Sequence, residues 1–465
     1  MKLILTKYIE RFRKSYLLVL ALIGTIACDE FVEIDLPETE IVAESVFQSD
    51  GTATSAMLHL YTEIHNTSSF AGGGQNSVTF LQGLTADELI PVSNTSEFFF
   101  LNNVLPITPE VSTTWNNCYN IIYGANAIIE GLLGSSGVSQ EVSAQLEGEA
   151  RFIRAFSHFY LVNLFGDVPY ISTTDYRVNA TASRMVSSEV YQNIVDDLLV
   201  AKALLNDDYP SSGRVRPNKG VITAFLARVY AYTGDWANAE IQATEVINNT
   251  AQYGLTDLNS VFLIDSYEAI WQLFPVETNN NGNEGSTFIV VDAPRFVVLN
   301  EDLFNAFEEG DARKTSWVGS VTGGSDTYIF PYKYKSLDDD PESEYSIVLR
   351  LAEQYLIRAE ARAQQNKLSE AISDLDVIRH RAELPLMVDT NPAINQSSLL
   401  LAIEQERRVE LFTEWGHRWF DLKRTGRTDA VLSAVKTGWE STDALLPLPQ
   451  NELDINQNLT QNPGY

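Results

Sequence analysis

The chain is poor in the residues that mark several functional classes. It has two cysteines, Cys28 and Cys118, and five histidines among 465 residues. No HExxH pattern occurs, and His59 and His65 are six residues apart, a spacing that does not make a zinc-ligand pair on one helix. The glycine triplet at residues 72–74 lacks the Lys-Ser/Thr of a phosphate-binding loop. The sequence therefore contains no zinc-binding or nucleotide-binding motif, and neither the histidines nor the glycine triplet predict a metal or cofactor site.

Basic residues are also scarce. Lys and Arg number 32 against 62 Asp and Glu, which gives a formal net charge of −30. Binding to nucleic-acid phosphates requires an excess of Lys and Arg, so a nucleic-acid partner is excluded. The hydrophobic content of 45% is ample for a packed core.

The first apolar run is too short to cross a bilayer. Residues 17–27 are apolar after a basic start, whereas a membrane-spanning helix needs about 20 such residues. The run ends Thr25-Ile26-Ala27-Cys28, as in a bacterial lipobox. We therefore predict that residues 1–27 are a lipoprotein signal peptide, removed on export, and that the Cys28 thiol carries the lipid, with palmitate among its acyl chains.

Two predictions follow for the mature N-terminus. Residues 28–50 are acidic and contain Pro37, as expected of a tether between a lipidated cysteine and the folded body. With Cys28 acylated, Cys118 has no partner for an intrachain disulfide, so stability must come from packing.

Helical periodicity dominates the remainder of the chain. It predicts helices at residues 52–64, 114–132, 142–165, 188–205, 219–232 and 236–248. The small residues of LARVYAYTGDWANAEIQATEVI have the spacing of a tetratricopeptide unit. Ala359 and Ala371 repeat the twelve-residue spacing of Ala227 and Ala239. The predicted fold class is mainly α: a tetratricopeptide-like helical-repeat scaffold interrupted by a loop-rich insertion with short β-strands.

That insertion covers residues from about 250 to 346. Residues 269–274 and 286–291 are predicted to be short strands, and residues 303–307 a brief helix. The acidic loop at residues 336–344 could offer oxygen ligands to Ca²⁺, although its spacing is not that of an EF-hand and solvation is the default.

Residues 403–427 place formal charges on a predicted helical stripe. Arg407, Glu414 and Arg418 share this stripe with Ile403 and Leu411. The predicted ion pairs are Glu414 with Arg418, Glu404 with Arg408, and Asp421 with His417 or Arg418. The cluster is either an acid/base site or a buried ion-pair lattice that fixes how helices dock. The lattice is favoured because no glycine-rich turn or nucleophile lies beside it.

The stretch ERRVELFTEWGHRWFDLKRTGR also resembles the C-terminal signature of the SusD/RagB family of outer-membrane lipoproteins of Bacteroidetes. Trp415 is a minor departure, at a position where that family usually has a small residue or a different neighbour before the glycine. Residues 148–171, 348–363 and 445–465 agree with the family as well. The resemblance implies a single SusD-like domain over residues 51–465, with ligand-binding loops grafted onto the helical scaffold.

The function that the resemblance implies is nutrient uptake by binding. A SusD-like protein captures an oligosaccharide at the cell surface during polysaccharide utilization and delivers it to a SusC-like TonB-dependent transporter, without being an enzyme. The strongly acidic chain favours a neutral glycan. Aromatic rings in polar loops suit sugar faces, and the predicted ligand-binding residues are Phe98, Phe99, Phe100, Trp317, Tyr328 and Tyr332.

Three alternatives stay open at this stage. One is a RagB-like peptide-binding lipoprotein. Another is a surface hydrolase that uses Asp87 with Glu88, or Glu414 with Asp421, as a carboxylate pair. The third is a purely structural scaffold built on the helical repeats.

Overall fold

The structure, a computed structural model, describes residues 46–66, 69–92, 96–275, 280–338 and 340–465. The predicted signal peptide, the lipidation site at Cys28 and most of the predicted tether lie outside the described residues. Among the described residues, no helix combines the length and the apolarity that crossing a bilayer requires.

Helices form most of the described chain. In chain order they are α1 Asp50–His65, α2 Val78–Thr85, α3 Glu97–Phe100, α4 Pro109–Leu133, α5 Gln140–Phe165, α6 Tyr176–Asn179, α7 Ser187–Leu204, α8 Lys219–Thr233, α9 Trp236–Asn248, α10 Asn283–Phe288, α11 Glu301–Ala306, α12 Ala312–Trp317, α13 Leu351–Gln364, α14 Leu368–Arg381, α15 Met387–Thr390, α16 Gln396–Glu410, α17 His417–Arg424, α18 Thr428–Val435 and α19 Gln450–Ile455. Two 3₁₀ turns span Ser212–Arg214 and Ser441–Ala444.

In the described ranges, six short strands pair two by two. They are β1 Leu89–Pro91, β2 Ala269–Leu273, β3 Val297–Leu299, β4 Val318–Gly323, β5 Asp326–Pro331 and β6 Ser346–Arg350. All three pairs are antiparallel: β1 with β3, β2 with β6, and β4 with β5. The predicted strand at residues 269–274 is confirmed as β2.

The helical scaffold is built as predicted from antiparallel pairs. Helix α8 packs against α9, α9 against α13, and α13 against α14, so the two predicted tetratricopeptide-like units lie side by side. Gly234, with φ +74°, makes the turn between α8 and α9. The alanines of the first unit form a buried cluster with Ile357 and Ala361 of the second. Small side chains allow these helices to approach closely.

Residues 286–291 were predicted to be a strand, and this prediction is wrong. Three of these six residues, 286–288, belong to α10, which begins after Gly282, and residues 289–291 form no strand. The apolar run Phe288–Val291 fits a buried strand and a buried helix end equally well by pattern. Strand β6, the neighbouring edge, already pairs with β2. The brief helix expected at residues 303–307 occurs as α11, and a second short helix, α12, follows it.

The single helix implied for residues 403–427 is also wrong. Helix α16 ends at Glu410, and α17 begins at His417. Between them Thr413, Trp415 and Gly416 have positive φ. The Thr413 and Trp415 N–H groups bond the Glu88 carboxylate and Thr79 Oγ1 instead of helical carbonyls. Contacts with distant segments thus replace the local helix.

Candidate functional site

The short strands bring the early loop and the insertion to one surface. Pairing of β1 with β3 places Leu89 opposite Leu299, and the Val92 N–H extends the ladder to the Phe296 carbonyl. Strand β5 packs beside β3, and α3 packs against β1. We call the surface formed by Val92, Phe98, Arg295, Phe296 and Tyr328 the loop surface.

The loop surface carries apolar rings next to charged and polar groups. Phe98 is 50% exposed, and Tyr328 is partly exposed near the tip of the β4–β5 hairpin. The exposed Arg295 guanidinium lies 5.2 Å from the centre of the Phe296 ring. A Cβ at Gly323 would lie 2.5 Å from the Asp292 carbonyl oxygen and 3.3 Å from the Tyr328 ring. This arrangement is able to stack on one face of a ligand and to hydrogen-bond its edge.

Phe99 and Trp317 do not reach this surface, and their prediction as ligand contacts is corrected. Both side chains are fully buried. The Trp317 indole N–H donates to the Leu258 carbonyl at 2.8 Å, and its ring packs on Phe262. A polar loop composition did not distinguish rings that fill the core from rings that face solvent.

Phe100 and Tyr332 are partly exposed but are held in intramolecular contacts. The Lys436 ammonium lies 4.0 Å from the centre of the Phe100 ring and donates to the Phe100 carbonyl at 2.9 Å. Tyr332 follows β5, at the opposite end of the hairpin from Tyr328, and packs edge-on against Phe330. Of the predicted aromatic residues, Phe98 lies on α3, which packs against β1, and Tyr328 lies on β5, which packs beside β3.

The structure also contains a cleft that the sequence did not indicate. A cleft of about 510 Å³ lies between α1 and β2 and is lined by Tyr61, Arg216, Phe274 and Glu342 among others. Phe274 is 51% exposed and packs edge-on against Tyr345. Phe274 directly follows the buried strand β2. Its neighbours in the sequence therefore did not distinguish it from a core residue.

The charged cluster predicted from residues 403–427 is a buried ion-pair lattice. Arg350, on β6, binds Glu414 through Nε and Nη2 at 2.8 and 2.9 Å, and its Nη1 lies 2.9 Å from Glu268 and 2.6 Å from Glu410. Lys333 also pairs with Glu414. Each of these five side chains is almost completely buried.

The same lattice continues into the helical repeats. Arg313 and Arg381 both pair with Glu410, and Arg313 also pairs with Asp311 and Glu406. Because burial of an unpaired charge costs several kcal/mol, this mutual pairing is what allows so many charges in the core. The lattice connects β6, α12, α14 and α16.

The predicted pairings within residues 403–427 were wrong. Arg418 pairs with Asp87 and Glu404 rather than with Glu414. Asp421 pairs with Arg407 and Arg424. The Glu414–Arg418 pair is lost because α16 ends at Glu410 and Glu414 lies in the turn before α17. Within α16, Arg408 pairs with Asp87 instead of Glu404.

Burial and nearby charges shift the pKa values of Glu414, Glu88 and Lys333. For Glu414, burial would raise the pKa, but the charges of Arg350 and Lys333 outweigh it and hold the pKa below its usual value. For Glu88, burial and the neighbouring Asp87 charge raise the pKa to about 8. Burial lowers the pKa of Lys333 to about 8 despite Glu414.

The carboxylate pairs considered for a hydrolase are enclosed by basic groups. Asp87 accepts bonds from Arg418 and Arg408 and is 3% exposed. Glu414 and Asp421 are buried against arginines as described above. A glycosidase needs two carboxyls that face a common cleft, about 5 to 10 Å apart. The structure shows all four carboxyl groups buried, with Asp87, Glu414 and Asp421 each paired with arginine.

The acidic loop at residues 336–344 uses its carboxylates locally. Glu344 accepts the backbone N–H groups of Lys335 and Ser336, and Asp340 accepts that of Leu337. Within the described ranges, no group of three or more His, Cys, Asp or Glu side chains is arranged to hold a metal ion.

The architecture defines a class: a helical-repeat scaffold that carries binding loops and small sheets on an insertion. A family model described as the SusD family matches residues 303–465, and one described as "Starch-binding associating with outer membrane" matches residues 71–231. The chain is therefore similar to the SusD family over its C-terminal third and to this second, starch-binding model within its N-terminal half.

Individual relatives are similar to this chain over almost its whole length. SusD-like protein P2 of Formosa agariphila is 29% identical over 96% of this chain and 98% of its own. The crystal structure of a SusD superfamily protein from Bacteroides vulgatus has a TM-score of 0.79 at 20% identity, covering 90% of this chain and 100% of that one. A laminarin-binding SusD-like protein has a TM-score of 0.75 at 24% identity, with the same coverage.

Proposed function

We propose that the protein is a cell-surface lipoprotein that binds a neutral oligosaccharide and delivers it to a SusC-like TonB-dependent transporter of the outer membrane. Binding and release are its mechanism, and no bond of the ligand is altered. Similarity to the SusD family supports this proposal, as do the starch-binding description of the second matching family model and the laminarin-binding structural neighbour.

The loop surface is the site that we propose for the ligand. The single observation that carries this choice is the presence of exposed aromatic rings there, while the charged clusters of the chain are buried and paired. The Phe98 and Tyr328 rings would stack on C–H faces of the sugar rings. Arg295 and the Asp292 backbone would hydrogen-bond hydroxyl groups at their edges.

The charge of the protein supports a neutral ligand. A formal net charge of −30 repels uronates and sulfated glycans at long range. Salt reduces this repulsion, because the screening length is about 8 Å at physiological ionic strength.

The proposed cell-surface location rests on the N-terminal sequence. Cys28 follows a short apolar run and a small residue, and residues 28–50 are acidic. After removal of residues 1–27, a lipid on Cys28 would hold the domain of residues 51–465 at the outer membrane, within reach of the transporter.

Calorimetry with residues 29–465 tests the ligand and the site together. Neutral β-glucan and starch oligosaccharides are titrated, and each sample is then analysed for shorter products. We expect binding of one neutral series without cleavage. Loss of one stacking ring, in Phe98→Ala or Tyr328→Ala, should weaken it roughly threefold to tenfold.

Phe274→Ala is the matched control for Phe98→Ala. The two phenylalanines are equally exposed, at 51% and 50%, but Phe274 lies in the α1–β2 cleft. Equal losses in both variants, or a loss only in Phe274→Ala, would move the site away from the loop surface. Shorter products would identify a hydrolase, and binding of peptides alone would identify a RagB-like function.

A further inference from the structure

A cavity on the helical scaffold is separate from the loop surface. It measures about 630 Å³, within the range of about 300–1,000 Å³ that is typical of small-molecule sites. We call it the repeat cavity. It lies where the α8–α9 turn, α13, α16 and α17 meet, and its lining includes Trp236, Glu404, Arg407, Asp421 and Arg427.

The acidic groups of the repeat cavity already have basic partners. Arg424 binds both carboxylate oxygens of Glu360 at 2.6 Å. The oxygens of Asp421 accept from Arg407 Nε at 2.7 Å and from Arg424 Nε at 2.9 Å. Each oxygen of Glu404 faces an arginine at 3.3 Å, Oε1 facing Arg418 and Oε2 facing Arg427. Each of these carboxylate oxygens therefore already has a guanidinium partner.

The basic groups, by contrast, have donors to spare. Arg407 is 3% exposed, and its Nη1 has no hydrogen-bond partner in the part of the chain that the structure describes. A buried donor without a partner is costly. The Arg427 side chain is 34% exposed, and its ion pair with Glu404 runs through Nε. Arg427 therefore has guanidinium N–H groups that a ligand in the repeat cavity can reach, whereas the buried Arg407 adds positive charge to the lining.

The rim of the repeat cavity is apolar. Trp236 and Leu400 line it, together with Leu401, which is 51% exposed. A guanidinium pairs best with a planar oxyanion, in a two-pronged geometry. Flat and aliphatic side chains at the rim suit an uncharged apolar body attached to that oxyanion.

We propose that the repeat cavity is a binding site for a carboxylate attached to an apolar body, with Arg427 as its anchor and the Arg407 charge beside it in the lining. Two sources share this chemistry: the free C-terminus of a peptide and a small organic acid. The site does not depend on the loop surface, so its failure would leave the proposed glycan binding untouched.

Calorimetry on residues 29–465 tests the proposal with three probes. They are acetyl-leucyl-phenylalanine with a free carboxylate, the same dipeptide as its C-terminal amide, and phenylacetate. We expect the acid to bind and the amide to bind at least about tenfold more weakly, because a hydrogen bond to a charged group is lost. Phenylacetate that competes with the dipeptide would identify a small acid as sufficient, whereas binding of the dipeptide alone would identify a peptide terminus.

Variants of Arg427 decide whether the cavity is the site. Arg427→Gln should weaken binding of the acid by about tenfold or more and leave the amide unchanged. Arg427→Lys, which keeps the charge and loses the planar fork, should give an intermediate affinity. Arg177→Gln, at a side chain that is 74% exposed and lies outside the repeat cavity, is the control and should bind as the parent does. Equal affinity for acid and amide, an unchanged affinity in Arg427→Gln, or no binding at millimolar concentration would overturn the proposal.

Discussion

Arg350 and Glu414 form a two-pronged ion pair in the core, with Nε 2.8 Å from Oε2 and Nη2 2.9 Å from Oε1. Arg350 comes from β6 at the end of the insertion, and Glu414 from the turn between α16 and α17. The pair therefore connects the segment that carries the loops to the helical scaffold, and its remaining donor reaches Glu268 and Glu410.

Removal of one partner of this pair should destabilise the fold strongly. In Glu414→Gln, the Arg350 and Lys333 charges lose a buried counter-charge, and we expect the free energy of unfolding to fall by about 3–5 kcal/mol. Urea denaturation followed by circular dichroism measures this loss. Glu245→Gln is the control, because Glu245 is 49% exposed and pairs with Lys202 at the surface. An exposed pair contributes about 0–1 kcal/mol. Similar losses in both variants would contradict a stabilising lattice.

The turn after α16 should require glycine at position 416 for two reasons: the positive φ and the close approach of Gln82. The two effects can be measured separately. Gly416 has φ +68°, and a Cβ there would lie 2.9 Å from the Gln82 Cβ. Gly426 has φ +67° and open space around it. Gly426→Ala should therefore show the conformational cost alone, about 1–2 kcal/mol. Gly416→Ala should lose more, because it adds a clash between α17 and α2. Equal losses in thermal denaturation would show that the close approach is relieved without cost.

The lengths and order of the main helices followed from the sequence. The predictions for residues 219–232 and 236–248 agree closely with α8 and α9, because apolar spacing and the Gly234 turn are local signals. The alanine spacing also identified the close packing of the repeats. The family resemblance was correct as well, because its four motifs lie in order along the chain.

Contacts between distant segments could not be predicted. The Asp87–Arg418 pair and the Leu89–Leu299 strand register join residues more than 200 positions apart. The periodicity of one segment does not indicate which distant residue that segment will contact. The aromatic residues show the same limit: Phe98 and Phe99 are neighbours in one polar loop, yet one is half exposed and the other is buried. Their difference comes from the position of α3 against β1.

Glu88 should make the stability of the protein depend on pH. Its pKa is about 8 in the fold, against an ordinary value of 4.5, because burial and Asp87 disfavour its charged form. The folded state then holds a proton that the unfolded state releases. The stabilising contribution is complete below about pH 4.5 and is lost as the pH rises through about 8.

Glu88→Gln keeps the shape of the neutral carboxyl and removes this titration. Between pH 5 and 8, the free energy of unfolding of the variant should rise relative to that of the parent, by up to about 1.4 kcal/mol per pH unit. Urea titrations at three pH values measure the difference. Glu370→Gln, at an exposed position of α14, should show no such trend. A constant difference between Glu88→Gln and the parent would contradict a neutral Glu88 in the fold.

The close approach of the two repeat units should make their alanines intolerant of larger side chains. Ala227 is fully buried in a cluster with Ala239, Ala243 and Ala361. Ala227→Leu would force three additional carbons between α8, α9 and α13, and overpacking of this kind costs about 1–3 kcal/mol. Ala237→Leu places the same side chain on the exposed face of α9 and should change stability by less than about 0.5 kcal/mol. If thermal denaturation showed equal effects at both positions, the alanine spacing would reflect helix propensity and not the docking of one repeat on the next.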